Sequence, residues 1–194
     1  VYGARASYIG GCIGTACTIV DRDEKIPALG TMAHSWVQMF DSEIDAFRAY
    51  ARKYPKNCTL LIDTYNVLKS GLPNAIKVFD EVLKPAGYRP KGIRIDSGDV
   101  TYLSKKIRKA LDEAGYEECK IVVSNSLDEY IIRELIRQGA EIDSFGVGER
   151  LITAKSDPVF GGVYKVCAIE DADGNVIPKI KISENVGKIT TPHF

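Results

Sequence analysis

The sequence has no long hydrophobic run, and no stretch of its 194 residues approaches the roughly 18 apolar positions of a membrane-spanning helix. Net charge is also lacking, because 26 basic and 26 acidic side chains cancel. That balance removes the electrostatic footprint of a nucleic-acid or membrane-surface binder. Histidines number two, His34 and His193, and neither lies among grouped cysteines, so no metal-ligand cluster can be read. The five cysteines (Cys12, Cys17, Cys58, Cys119 and Cys167) are odd in number and scattered. That pattern is not one of a disulfide framework and leads us to expect reduced thiols in a cytoplasmic protein. No segment reads as a signal peptide, and no internal repeat or low-complexity tract is present.

What remains is an ordinary globular composition, 45% hydrophobic and 27% charged, with ample material for a core. Val1 falls inside an apparent helix, and residues 190–194 give the last element no stop signal. The chain is therefore expected to be part of a longer protein. Apolar runs at 59–62, 93–95, 120–123 and 142–147 alternate with amphipathic helical patterns, at close to the ~30-residue repeat of a βαβ unit. Residues 4–13 read as the end of a buried helix and 26–31 as a further short strand. Asp41 or Ser42 can cap a helix with Phe47, Tyr50, Ala51 and Tyr54 on one face. The stripe Leu72, Ala75, Ile76, Phe79, Val82, Leu83, Ala86 predicts a helix with Pro73 near its start and Gly87 at its stop. Ser126 with Glu129 reads as a capping box, and residues 163–182 as a hairpin turning at Asp173-Gly174-Asn175.

Runs of this kind are expected to be buried on both faces of a parallel sheet. Each ends in polar residues: Asp63, then Arg94 and Asp96, then Ser124 and Asn125, then Gly148 and Glu149; His34 follows the 26–31 segment. A doubly wound open sheet would collect such ends, but an α/β barrel gathers them on one rim. The expected fold is an incomplete parallel (β/α) barrel over residues 1–160, with a β-hairpin extension over 161–194. The stretch from Gly92 to Asp99 is central, since its strand end offers an arginine, two carboxylates and a serine beside a helix start. It can equally be a salt-bridged strand end with Ser97 or Asp99 as helix cap. Arg94 has the planar fork suited to a phosphate or carboxylate, and Asp96 can accept from ribose hydroxyls. A carboxylate such as Asp63 beside His34 would fix the imidazole and stabilise its cation.

Several stretches occur together in one order: Gly3-Ala4-Arg5-Ala6 with Tyr8-Ile9-Gly10-Gly11, Gly14-Thr15, Gly30-Thr31-Met32-Ala33-His34-Ser35-Trp36, Ile62-Asp63-Thr64-Tyr65, Arg94-Ile95-Asp96-Ser97-Gly98-Asp99, Ser124-Asn125-Ser126-Leu127-Asp128-Glu129, Phe145-Gly146-Val147-Gly148-Glu149 and Gly161-Gly162-Val163-Tyr164-Lys165. As a set they closely resemble the nicotinate phosphoribosyltransferase family, over nearly the whole chain. The resemblance implies part of a type II phosphoribosyltransferase barrel beside an N-terminal domain. It implies a transferase that joins nicotinate to phosphoribosyl pyrophosphate in NAD biosynthesis. ATP hydrolysis would be coupled through a phosphohistidine, and Mg²⁺ would accompany the pyrophosphate.

Carried over, His34 would be phosphorylated with Asp63 as its orienting partner. Arg94 would hold the phosphoribosyl or nicotinate anion, and Asp96 the ribose hydroxyls. Ser124, Asn125, Gly148 and Glu149 would line the phosphate pocket, the last two through backbone N–H groups. Related nicotinamide enzymes carry an aspartate after the Gly-Thr pair. Ala16 after Thr15 would spare a carboxylate substrate that repulsion, although many nicotinate enzymes have serine there. A homodimer is expected, with no nucleic-acid or membrane partner, and the isolated chain is expected to turn over little. Quinolinate or nicotinamide phosphoribosyltransferase, or a non-catalytic phosphate-binding fragment, are the alternatives.

Overall fold

A computed structural model describes residues 1–153 and 165–180. Four short strands, β1 (Thr59–Leu61), β2 (Gly92–Ile95), β3 (Lys120–Ser124) and β4 (Ser144–Gly146), form one parallel sheet in the order β1-β2-β3-β4. Leu61, Arg94, Val122 and Ser144 stand in one row of the register. A sheet that runs in chain order without turning back differs from a doubly wound one, whose order reverses at a switch point. It is the order of a barrel wall, although among the described residues the sheet stays open.

Side-chain alternation sets the two faces. Ile93, Ile95, Ile121 and Val123 are fully buried, whereas Arg94, Val122 and Ser124 are half-buried. The strands β2 and β3 are thus not the runs buried on both faces that their sequence suggests. The buried side receives the helices. Helix α4 (Glu43–Lys53) brings Ala46, Phe47 and Ala51, and α6 (Val100–Glu113) brings Ile107 and Leu111. Ser42 caps α4 by accepting from the Asp45 amide, and Asp99 caps α6 by accepting from Tyr102, as the polar residues before each pattern predict.

Between β1 and β2 the helix starts earlier than Pro73 indicates. A π-turn over Val67–Gly71, capped by Asn66, leads into α5 (Leu72–Val78), and a second π-turn covers Phe79–Leu83. Wide turns rotate the buried face by a residue, so Val78 joins the core and Ala86 is exposed. Gly87 does stop the segment, at φ +77°.

Three other expectations are corrected. Helix α1 (Tyr2–Ile9) buries no residue, because its small side chains present no continuous apolar stripe. The strand expected at 26–31 reduces to one parallel bridge, Thr15 with Ala28, after helix α2 (Thr18–Glu24). Gly14 permits that bridge, since a Cβ there would lie 2.6 Å from the Pro27 carbonyl oxygen. Helix α7 (Glu129–Arg137) is capped by Asp128, which accepts from Tyr130 and Ile131, and not by Ser126. Ser126 is held at φ +55° and turns its hydroxyl to Asn125.

The short helices α3 (His34–Gln38) and α8 (Glu149–Ile152) complete this part. Strands β5 (Ala168–Glu170) and β6 (Val176–Pro178) make a separate antiparallel pair. Its turn is organised by Asp171, whose carboxylate accepts from Asp173 and Asn175. The ends of the predicted 163–182 hairpin, and the Gly161-Gly162-Val163-Tyr164 part of the last motif, lie outside the described residues.

Candidate active site

The carboxyl ends of β1, β2 and β3 carry their polar residues to one place. Arg94 projects from the open face of β2 and is held on three sides. Its Nε donates to Ser124 Oγ at 2.7 Å, Nη1 to Thr31 Oγ1 at 2.9 Å and Nη2 to Asp96 Oδ1 at 2.8 Å. Ser124 also donates to Asp96 Oδ1, and the Asn125 amide holds the Asp96 carbonyl at 3.0 Å. Burial works against ionisation of Asp96. The Ser124 hydroxyl and the Arg94 guanidinium outweigh it, with a smaller contribution from His34, and hold the carboxyl below its ordinary range.

Asp63, beyond the end of β1, is 5% exposed. Its Oδ2 accepts from the Asp96 amide at 2.9 Å and from Ser97 Oγ at 2.6 Å. This carboxylate therefore fastens the turn after β2. Its other oxygen, Oδ1, is buried with no hydrogen-bond partner and stands 3.9 Å from His34 Nε2. Asp96 Oδ2 lies at the same 3.9 Å from Nε2.

Two carboxylates thus flank one nitrogen of the imidazole, while the other, Nδ1, is 3.1 Å from Thr64 Oγ1. Asp63 faces His34 through space, and Thr64 supplies a hydrogen bond at the other ring nitrogen. Behind them lies Glu43, which accepts from Asn74 Nδ2 at 3.0 Å. Its burial, reinforced by the charge of Asp63, pushes its carboxyl up despite the hydrogen bonds of Asn74 and Ser70.

A cavity of about 270 Å³ opens beside this cluster, and Arg94, Asp96, Ser124, Asn125, Gly148 and Glu149 all line it. Sequence reasoning missed Arg150, which also lines it. This second cation donates from Nη1 to Asp128 Oδ2 at 2.6 Å, so the α7 cap also steadies an arginine at the cavity wall. Its position next to Glu149 was the available signal. Thr15 and Ala16 do not line the cavity; Thr15 is half-buried in its bridge to Ala28, and Ala16 is exposed. His34 does not line the cavity, and its Nε2 stands 3.9 Å from Asp96, which does. Among the described residues no group of three or more histidine, cysteine, aspartate or glutamate side chains could hold a metal ion. None of their helices is long and apolar enough to cross a membrane.

The arrangement can bind an anionic, hydroxyl-bearing ligand next to an imidazole that two carboxylates face. Comparison with known proteins gives the same direction. The model of the nicotinate phosphoribosyltransferase (NAPRTase) family matches residues 8–191. Nicotinate phosphoribosyltransferase of Bacillus subtilis (strain 168) is 48% identical over 99% of the chain and 38% of its own length. The Dictyostelium discoideum protein of that name is 36% identical over 97% of the chain and 39% of its own. The crystal structure of human nicotinic acid phosphoribosyltransferase superposes with a TM-score of 0.70 at 28% identity, covering 74% of the chain and 39% of the human one. The chain thus spans about two fifths of the length of these relatives.

Proposed function

This chain belongs to the nicotinate phosphoribosyltransferase family, and from that premise we propose that the protein carrying it transfers phosphoribosyl from phosphoribosyl pyrophosphate to nicotinate. One observation carries the reading. Arg94 and Asp96 form an ionised pair in the wall of a polar cavity, and the second oxygen of Asp96 faces His34.

In the transfer the bond from C1 of the ribose to pyrophosphate breaks and a bond to the pyridine nitrogen forms. Positive charge develops on the sugar between the two events. A carboxylate that is already ionised and held rigidly needs no reorganisation to stabilise that charge. Asp96 Oδ1 is committed to Arg94 and Ser124, so Oδ2 is the oxygen available to the ribose. The N–H groups that Arg94 does not use within the protein, with Arg150 in the same cavity wall, suit the anionic groups.

His34 would accept the γ-phosphoryl group of ATP on an imidazole nitrogen as ADP leaves, and water would later release phosphate. Asp63 and Asp96 would balance the charge of the modified ring. Because no cluster of ligands for a metal stands among the described residues, Mg²⁺ would enter as a companion of the pyrophosphate. A homodimer working in the cytoplasm, within NAD biosynthesis, completes the proposal.

The test is formation of nicotinate mononucleotide from nicotinate and phosphoribosyl pyrophosphate, with and without ATP, by the protein that carries this chain. Asp96→Asn should lower kcat/KM by about 100-fold or more. His34→Ala should abolish acid-labile phosphate from γ-labelled ATP. An undiminished rate in Asp96→Asn, or labelling that survives His34→Ala, overturns the reading.

A further inference from the structure

The hydroxyl of Thr64 has no part in the roles given so far, yet it makes a 3.1 Å contact to the His34 ring. Thr64 is fully buried at 0% exposure, two residues beyond the apolar run of β1 and next to Asp63. A buried hydroxyl must be satisfied, and its hydrogen can rotate to donate or turn away to accept.

The charged groups facing the ring decide which it does. Nε2 lies 3.9 Å from Asp63 Oδ1, after β1, and 3.9 Å from Asp96 Oδ2, after β2. Arg94 partly neutralises Asp96, but through its other oxygen. Asp63 Oδ1 has no hydrogen-bond partner of its own. The negative potential is therefore greatest at Nε2, and a proton on neutral His34 belongs there. Nδ1 is then an acceptor, and Thr64 donates to it. When the ring becomes a cation, Nδ1 carries a proton as well and Thr64 accepts.

We infer that Thr64 is a positioning residue for His34: its hydroxyl reverses between donor and acceptor, and so holds one ring orientation, Nε2 toward the two carboxylates, through each change of charge. The inference rests on the reading of His34 as the reacting group. A serine could do the same, while valine, which matches threonine in shape, could not. Without the hydroxyl the ring would lose a bond that distinguishes its two nitrogens, and orientations with Nδ1 toward the carboxylates would become populated.

With only two histidines in the chain, imidazole spectra are simple enough to test this directly. Long-range ¹H–¹⁵N spectra of the labelled chain should show His34 in the Nε2–H tautomer when neutral, in a single environment. Thr64→Val should give mixed or exchange-broadened tautomers, and Thr64→Ser should restore the wild-type pattern. In a turnover assay Thr64→Val should lower kcat by about 10–100-fold with KM little changed. Thr64→Ser should stay within about threefold of wild type.

An Nε2–H pattern unchanged in a folded Thr64→Val chain would sink the inference. So would a predominant Nδ1–H tautomer in the wild type, a result that needs no variant to fold. The spectra do not depend on turnover. A protein carrying this chain that shows the serine-rescued tautomer and forms no nicotinate mononucleotide keeps this inference and loses the proposed function.

Discussion

Arg94 is the residue on which the site closes, and its identity matters more than its charge. Nε, Nη1 and Nη2 reach three different partners, Ser124, Thr31 and Asp96. A lysine keeps the charge but has one nitrogen on a flexible stem. Arg94→Lys should therefore lose at least one of the three contacts. We expect about 1–2 kcal/mol less stability by urea denaturation and a transferase rate lower by ten-fold or more. A lysine variant with wild-type rate would mean that the fork positions nothing. The Asp96 half of the pair has a pH signature. Its folded-state pKa is depressed, so the stability it contributes is fully present above the unfolded value near ~3.9 and is lost as pH falls through the folded value. The stability gap between wild type and Asp96→Asn should stay constant from neutral pH down to about pH 5 and close below about pH 4. Arg94 and Asp96 were legible as site residues because an arginine and carboxylates at a strand end are conspicuous. Thr64 beside His34 was not, since a threonine hydroxyl advertises nothing until the fold brings position 64 to position 34.

At the level of elements, the tightest constraint is the approach of the π-turn before α5 to the end of β1. Gly71 has ordinary helical dihedrals, so flexibility is not why it is glycine. A Cβ there would lie 1.9 Å from the carbonyl oxygen of Ile62, the residue before Asp63. Gly71→Ala must push the helix away from the strand end, and we predict a loss of about 2–4 kcal/mol. The displaced strand end carries Asp63 and Thr64, so the proposed phosphorylation of His34 should weaken as well. Wild-type stability for Gly71→Ala would show that the two elements do not meet so closely. Short-range rules served the elements unevenly. Ser42 and Asp99 were each legible as one of two candidate caps, and the helix starts select them over Asp41 and Ser97. Ser126 and Glu129 satisfied the capping-box spacing, but Asp128 sits nearer and accepts two amides. Pro73 suggested a helix start, yet π-bonded turns, with Gly71 N–H donating to Asn66 at 2.8 Å, carry the helix in ahead of it. That choice depends on packing against β1, which local patterns do not encode.

For the whole molecule, the parallel βαβ rhythm was legible because its period survives any detail of capping, and the sequential sheet order follows from connecting each strand to its next neighbour. The weak part was the amino-terminal segment, where apolar composition suggested burial that the described structure does not supply for α1. Two thiols report on the integrity of the whole core. Cys58 and Cys119, each just before a strand, are fully buried, and burial pushes both thiols up to about 12. Cys12 and Cys167 are exposed. In the folded protein iodoacetamide should label Cys12 and Cys167 readily, and Cys58 and Cys119 only as fast as the core unfolds. The sign of the pH effect follows. A thiol whose folded pKa is raised contributes fully below the unfolded value near ~8.5, and that contribution is lost as pH rises above it. Two such thiols should lower stability by about 3–4 kcal/mol between pH 8 and pH 10 in denaturant titrations. Native-state labelling of Cys119 as fast as Cys167 would place it at the surface, and with it the start of β3 outside the core on which the site is built.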